Sequence, residues 1–237
     1  MGVSNSISRL SDYYSRHGFA ATMRRAGLAL KRTLFSSRMA VFYCDLGTQS
    51  TAAVNIPNSL KVERLKSYAG LSHQDLQDMT SFWNPKLAHR NIRERFEKGA
   101  SLWLVKSGGK LAGFGWTLQG RPIAQYYFPL AKDDVQLFDF YVFPKFRGRA
   151  IHWLLTAYIL QTLAAEGGAR AFADTGEWNQ AQLASFKMTP FRLLGWVTTF
   201  SIFGQTFNCW VENETVDQTR KSAEQRDEAL TVARSNE

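Results

Sequence analysis

Residues 142–152 read VFPKFRGRAIH: Val142, Phe143, Pro144, Lys145, Phe146, Arg147, Gly148, Arg149, Ala150, Ile151 and His152. This stretch closes one apolar run and opens another. Upstream, Val135 to Phe143 is apolar and aromatic, which predicts a strand. Downstream, Ala150 to Glu166 predicts a helix that is apolar around most of its circumference and stops at Gly167-Gly168. The junction is therefore strand, basic turn, helix. A helix start offers unpaired N–H groups and the positive end of the macrodipole, so it favours an anion. Lys145, Arg147 and Arg149 add charge there, and Gly148 lets the backbone approach a ligand or take a positive φ. Taken alone, the same turn also reads as a tight connection whose arginines only solvate it.

Working outward, strands and helices alternate from about residue 58, which predicts an α/β or α+β domain. Ser59 to Leu65 reads as a strand; Ser72 to Met79 and Pro85 to Lys98 read as helices, with a Ser cap on the first and a Pro near the start of the second. Residues 101–120 give two β runs joined at Ser107-Gly108-Gly109, a hairpin signal. Beyond the long helix come a short strand (Ala169 to Asp174), a helix (Trp178 to Lys187) and a strand pair (Gly195 to Phe203, Gln205 to Val211) turning at Gly204.

With 237 residues, 45% hydrophobic and 14% aromatic, the chain buries one full core and is too apolar to be disordered. Its net charge of +9 attracts anions: nucleic acid, an anionic membrane or a polyphosphate ligand. The basic residues are not interleaved with aromatics in any nucleic-acid module, so no nucleic-acid partner is expected. Only Cys44 and Cys209 occur, without a Cys/His cluster, so neither a disulfide framework nor a metal site is expected and a reducing cytoplasm fits. The longest apolar stretch, Ile151 to Ala165, falls short of the roughly 20 residues a membrane span needs.

The order of elements over residues 58–211 resembles the GNAT superfamily of acyl-CoA N-acyltransferases: a strand, two helices, three strands, a long helix, a strand, a helix and a final strand pair. The family's cofactor signature, R/Q-x-x-G-x-G/A after a V-x-P segment, is similar to Val142-Phe143-Pro144 followed by Arg147-Gly148-Arg149. Ala150 stands where the family has Gly, and His152 where it has Gly or Ala. Ala at a helical φ is acceptable, whereas the His152 ring either crowds a pyrophosphate, donates to it, or packs beside Trp153 without a ligand role. Asn179 and Ser185 ahead of Leu194-Gly195-Trp196 resemble the family's N…S…GF stretch, whose helix faces the pantetheine arm.

The resemblance implies a mixed sheet of roughly six to seven strands flanked by helices. It also implies acetyl-CoA or another acyl-CoA as co-substrate, held by Tyr141, Val142, Arg147, Gly148, Arg149, Ala150, Ile151, His152, Asn179 and Ser185. The acceptor would be a small amine, with an amino-sugar derivative suggested by basicity and the many aromatics. A backbone N–H of Tyr141 or Val142 would hold the developing oxyanion. For the base, Asp139 comes first, because an ionisable residue inside LFDFYVF needs a partner or a purpose; by strand alternation it shares a face with Leu137, Tyr141 and Phe143. It reads equally as a hydrogen-bonded or solvent-facing Asp. Asp174 and Glu177, at the carboxyl end of the next strand, are alternatives, or caps of the following helix. Tyr141 or Tyr158 could act as the acid.

Residues 1–57 read as a basic helical extension ending in a short strand at residues 39–44, and residues 212–237 as a polar flexible tail. Arg9, Arg16, Arg24, Arg25, Lys31, Arg32 and Arg38 face only Asp12 within residues 1–38, so this arm either lies on anionic lipid at the inner face of the membrane or docks on its own domain. MGVSNS also fits a short acylation pattern. The competing reading of the whole is a lapsed GNAT-fold module that binds membrane or protein through this arm.

Overall fold

A computed structural model describes residues 38–47, 54–81, 85–124, 126–202 and 205–211, with Phe19, Thr22 and Met23 besides. The expected helices within residues 1–37, those three residues apart, the turn at Gly204 and the tail from residue 212 lie outside the described residues.

The described elements run β1 (Arg38–Asp45), β2 (Leu60–Leu65), α1 (His73–Thr80), α2 (Pro85–Glu97), β3 (Ser101–Ser107), β4 (Lys110–Gln119), β5 (Asp134–Val142), α3 (Ile151–Ala165), β6 (Arg170–Gly176), α4 (Gln180–Phe186), β7 (Arg192–Ile202) and β8 (Gln205–Val211). They form one mixed sheet of eight strands in the order β2-β3-β4-β5-β6-β1-β7-β8. The expected count of six to seven falls short by β1. This strand, read in the sequence as the end of the N-terminal extension, is lodged between β6 and β7, antiparallel to both. Its residues show why: Ala40, Phe42 and Cys44 pack on one face of the sheet and Val41 on the other, all buried.

Local chemistry fixes the element ends. The Ser72 hydroxyl accepts from the Asp75 N–H at 3.1 Å and starts α1. Gly108 and Gly109 both take positive φ, 55° and 76°, as a two-residue hairpin turn requires. Helix α3 covers one face with Ile151, Leu155, Ile159 and Leu163, spaced by four; it ends where the N–H of Gly168 reaches back to the Leu163 carbonyl. On the opposite face α1 and α2 bury Met79, Ile92 and Phe96 over β3 and β4, and the segment after β4 covers Phe172 and Val197 with Tyr127 and Phe128.

Strands β5 and β6 are the parallel pair, matched from Asp134↔Arg170 to Leu137↔Ala173. A buried bidentate ion pair pins the first rung: Arg170 donates to both carboxylate oxygens of Asp134 at 2.8 and 2.7 Å, and the Ala131 N–H adds a third bond. Beyond Leu137 and Ala173 the two strands no longer pair, and the crevice between their carboxyl ends is where α/β sheets receive ligands.

Candidate active site

Strand β5 carries an extra residue at this crevice. Phe114 pairs with Tyr141 and Trp116 with Phe138, so Asp139 and Phe140 together oppose Gly115. This is a β-bulge, with Asp139 at φ 50°. Asp tolerates that region better than most residues. Gly115 is required opposite it, because a Cβ there would sit 2.7 Å from the Phe140 ring.

The bulge overturns the alternation expected for this strand. Leu137, Phe140 and Val142 face α3, while Phe138, Tyr141 and Phe143 face α1 and α2, so Leu137 and Tyr141 lie on opposite faces. Asp139 is turned out of both layers, its side chain 57% exposed and ion-paired through Oδ2 to Arg95 of α2. The Arg95 guanidinium is itself desolvated, which lowers its pKa against the pull of Asp139, and it stacks over Trp116 and Phe138.

Asp174, at the end of β6, is the second carboxylate. Burial raises its pKa to about 6; the nearby charge of Asp139 acts in the same direction, and a hydrogen bond donated by the Tyr127 hydroxyl at 3.1 Å opposes it. The neighbouring Tyr126 is half-buried, its hydroxyl oxygen buried and without a hydrogen-bond partner among the described residues, and burial followed by the Asp174 charge pushes its pKa far up. Glu177 is exposed in the turn after β6 and lines none of the cavities described below. Neither acid caps α4: Asn179 does, accepting from the Gln182 N–H and donating to the Gln182 side chain at 2.8 Å.

The basic turn folds as the sequence requires at Gly148, where φ is 76° and a Cβ would meet nothing within 4 Å. Ala150 differs from expectation. It is not helical but left-handed, φ 55°, as the residue that caps α3. The Gly usual at this position is thus a conformational demand that Ala meets at a cost of about 1 kcal/mol. Having no side-chain oxygen, Ala150 also leaves the first-turn N–H groups of α3 without a side-chain cap. Arg147 donates from Nε to the Val142 carbonyl at 3.1 Å, and Arg149 lies over Phe146. The His152 ring is directed at α4: Nδ1 sits 2.8 Å from the Ser185 hydroxyl, Phe140 meets the ring edge-on, and burial lowers its pKa, so it is neutral at pH 7.

Three cavities follow β5 in series. One of about 350 Å³ lies along the turn and the α3–α4 seam, lined by Val142, Arg147, Gly148, Ala150, Ile151 and His152, with Ser185 across it. A constriction of about 20 Å³ in the β5–β6 crevice shares His152 with it and adds Asp139, Phe140, Asp174 and Gln182. A third, about 270 Å³, shares Asp139 and Phe140 with the constriction and opens on the α1–α2 side, bounded also by Arg95 and Tyr141. Of the expected residues, Arg149, Asn179 and Glu177 line none of the three, and Tyr158 packs edge-on against Trp103 in the core. Sequence reasoning missed Tyr127, Gln182 and Arg95. Only Arg95 had left a signal, since Ala88, Ile92 and Arg95 share a helical face with an otherwise apolar stripe.

Residues 69–189 match the sequence model of the Acetyltransferase (GNAT) family. The chain belongs to the GNAT acetyltransferase family. Members of the family use acyl-CoA, and the matched range contains the strand–turn–helix at residues 142–155. No curated protein matches it in sequence. Among solved structures it is similar to a tandem GNAT protein from the clavulanic acid biosynthesis pathway (14% identity, TM-score 0.50, 78% of this chain and 57% of that one). It is similar also to a GNAT-family acetyltransferase from Novosphingobium aromaticivorans (14%, 0.44, 66% and 60%). A third is AAC(6')-Iy, in complex with the bisubstrate analogue CoA-S-monomethyl-acetylneamine (16%, 0.44, 62% and 97%). The match spans under two thirds of the length of the first two, and the tandem protein speaks for the fold alone.

Proposed function

We propose that this chain transfers an acyl group, in the first instance acetyl, from acyl-CoA to the amine of a small acceptor. The observation that carries this reading is the series of cavities along β5: an anion-favouring turn at one end, two carboxylates at the constriction, and an open cavity at the other end. The residues fit a CoA pyrophosphate. Gly148 leaves open space above the backbone, the first turn of α3 has no side-chain cap, and Lys145, Arg147 and Arg149 are exposed beside it. Val142, Gly148, Ala150, Ile151 and the arginines would hold the phosphates, while His152 and Ser185 would border the arm that enters the crevice.

Bound acyl-CoA supplies an activated thioester, whose C–S bond breaks as the acceptor's C–N bond forms. The residues of the chain position the partners and move protons. Asp174 is the better base, because a pKa near 6 leaves it ionised at neutral pH yet basic enough to take one proton from an ammonium, directly or through water. The second ammonium proton leaves with the thiolate. The backbone N–H groups of Tyr141 and Val142, at the end of β5, are the candidates for the oxyanion. Asp139, held by Arg95, is suited to attracting the ammonium rather than deprotonating it.

Isothermal titration with acetyl-CoA tests the cofactor half: saturable binding is expected, and Arg147→Glu should abolish it by reversing charge at the turn. Absence of binding at millimolar acetyl-CoA would sink the reading. The narrow passage beside His152 favours a second reading, a lapsed module that binds CoA without turnover; acetyl-CoA binding with no thiol release on any amine would favour it.

A further inference from the structure

The 270 Å³ cavity is built for a particular kind of acceptor. Its described lining is Met79, Ala88, Ile92, Phe114, Phe140 and Tyr141, with Arg95 and Asp139 as the charged pair. Arg95 and Asp139 are bound to each other, Arg95 is mostly buried beneath Trp116 and Phe138, and among the described residues only Oδ2 of Asp139 is engaged. Apart from this pair and the Tyr141 hydroxyl, the described wall has no side chain able to hydrogen-bond. A polyhydroxylated ring placed here would leave several hydroxyls without partners, each costing about 1–3 kcal/mol. An apolar body would instead bury its surface against five aliphatic or aromatic side chains at about 25 cal/mol per Å².

The same geometry says where the amine goes. Asp139 borders both the apolar cavity and the constriction that contains Asp174. The positive φ of Asp139 and the Arg95 contact hold its carboxylate at that boundary, while the side chain stays 57% exposed. An ammonium on Asp139 therefore stands at the mouth of the crevice with the rest of its molecule in the apolar cavity.

We infer that the acceptor is a primary amine on an aliphatic or aromatic body, bound through its ammonium to Asp139, and not an amino-sugar. This rests on the acyltransferase reading for its place in the reaction, but the recognition itself is a binding property of the unmodified chain. The test is calorimetric titration of that chain, without CoA, with three probes: 2-phenylethylamine, its neutral counterpart 2-phenylethanol, and glucosamine. Phenylethylamine should bind tightest, with phenylethanol weaker by about tenfold or more for want of the ammonium, and glucosamine weaker than phenylethylamine by a similar factor.

Asp139→Asn should bring phenylethylamine down to the affinity of phenylethanol. Phe114→Ala should weaken both phenyl compounds and leave glucosamine unchanged. Circular dichroism and acetyl-CoA titration of each variant show that the fold and the cofactor turn are intact. Equal binding of phenylethylamine and phenylethanol would overturn the ammonium site. Glucosamine binding as tight as phenylethylamine, or no phenylethylamine binding at millimolar concentration, would overturn the acceptor class. Failure of acetyl-CoA alone to bind, with the amine ranking intact, would count against the acyltransferase reading and leave the amine site standing.

Discussion

Replacing Asp174 with Asn separates the energetic burden of this carboxylate from its chemical use. In the folded protein its pKa rises from an ordinary 3.8 to about 6, chiefly because burial disfavours the charged form. A carboxyl whose folded pKa lies above its unfolded value stabilises the fold only while protonated. Below the ordinary carboxylate range both states carry the proton and Asp174 costs nothing. As pH rises toward 6 the unfolded chain ionises first and stability is lost; above that the loss is constant.

A shift of about two units corresponds to about 3 kcal/mol, which for a chain of this size is a melting-temperature difference of roughly 6–12 °C. Asn keeps the shape, still accepts from the Tyr127 hydroxyl and cannot ionise. Asp174→Asn should therefore be more stable than the parent by up to about 3 kcal/mol at neutral pH and indistinguishable from it in acid. Thermal or urea melts across the acid-to-neutral range measure this. If Asp174 is also the base, turnover followed by thiol release should fall by about 10²–10⁴-fold, with acetyl-CoA affinity unchanged. A variant that is no more stable at neutral pH would refute the desolvation argument, and one that keeps its turnover would remove Asp174 from the chemistry.

Gly115→Ala places a methyl 2.7 Å from the Phe140 ring and should cost about 1–3 kcal/mol while displacing Phe140 from two cavities, visible as a lower melting temperature and weakened amine binding. Ala150→Gly relieves the left-handed residue at the start of α3 and should stabilise by about 1 kcal/mol in urea melts, with acetyl-CoA affinity retained or improved. Asp134→Ala removes the carboxylate that takes two hydrogen bonds from the buried Arg170 guanidinium and should destabilise by about 3–5 kcal/mol, loosening the first rung of the β5–β6 pair. A cost below about 1 kcal/mol for that variant would mean that the pair contributes register rather than stability.

Elements with strong local signals were legible in the sequence. The Ser72 cap, the Gly108-Gly109 hairpin and the Gly167-Gly168 stop each state their geometry in a few adjacent residues, and the structure places each within about two residues of its reading. The position of β1 was not legible. MAVFYC announces a strand, but its partners are more than 120 residues away, and nothing local says that it will be enclosed by β6 and β7 rather than left at an edge. The left-handed Ala150 was hidden for the opposite reason: Ala is an unremarkable residue at a helix start, and only the backbone reveals that the helix begins one residue later.

The site was half legible because it depends on an insertion that strand periodicity cannot register. Counting by twos along LFDFYVF puts Asp139 on the face of Leu137 and Tyr141, whereas one extra residue opposite Gly115 separates all three. That single residue does two things at once. It ends the pairing logic of β5 just past the last β5–β6 rung, at Leu137, and it turns the acid toward the boundary between two cavities. The ionisable residue that looked out of place inside an apolar strand is not inside it. The bulge, secured by Arg95 on one side and by Phe140 over Gly115 on the other, holds the carboxylate at the junction between the α1–α2 cavity and the crevice. In the proposed reaction the base role falls to Asp174, whose burial raises its pKa to about 6. On that proposal, two carboxylates in unlike environments, one exposed beside Arg95 and one buried beside Tyr127, divide attraction from proton transfer.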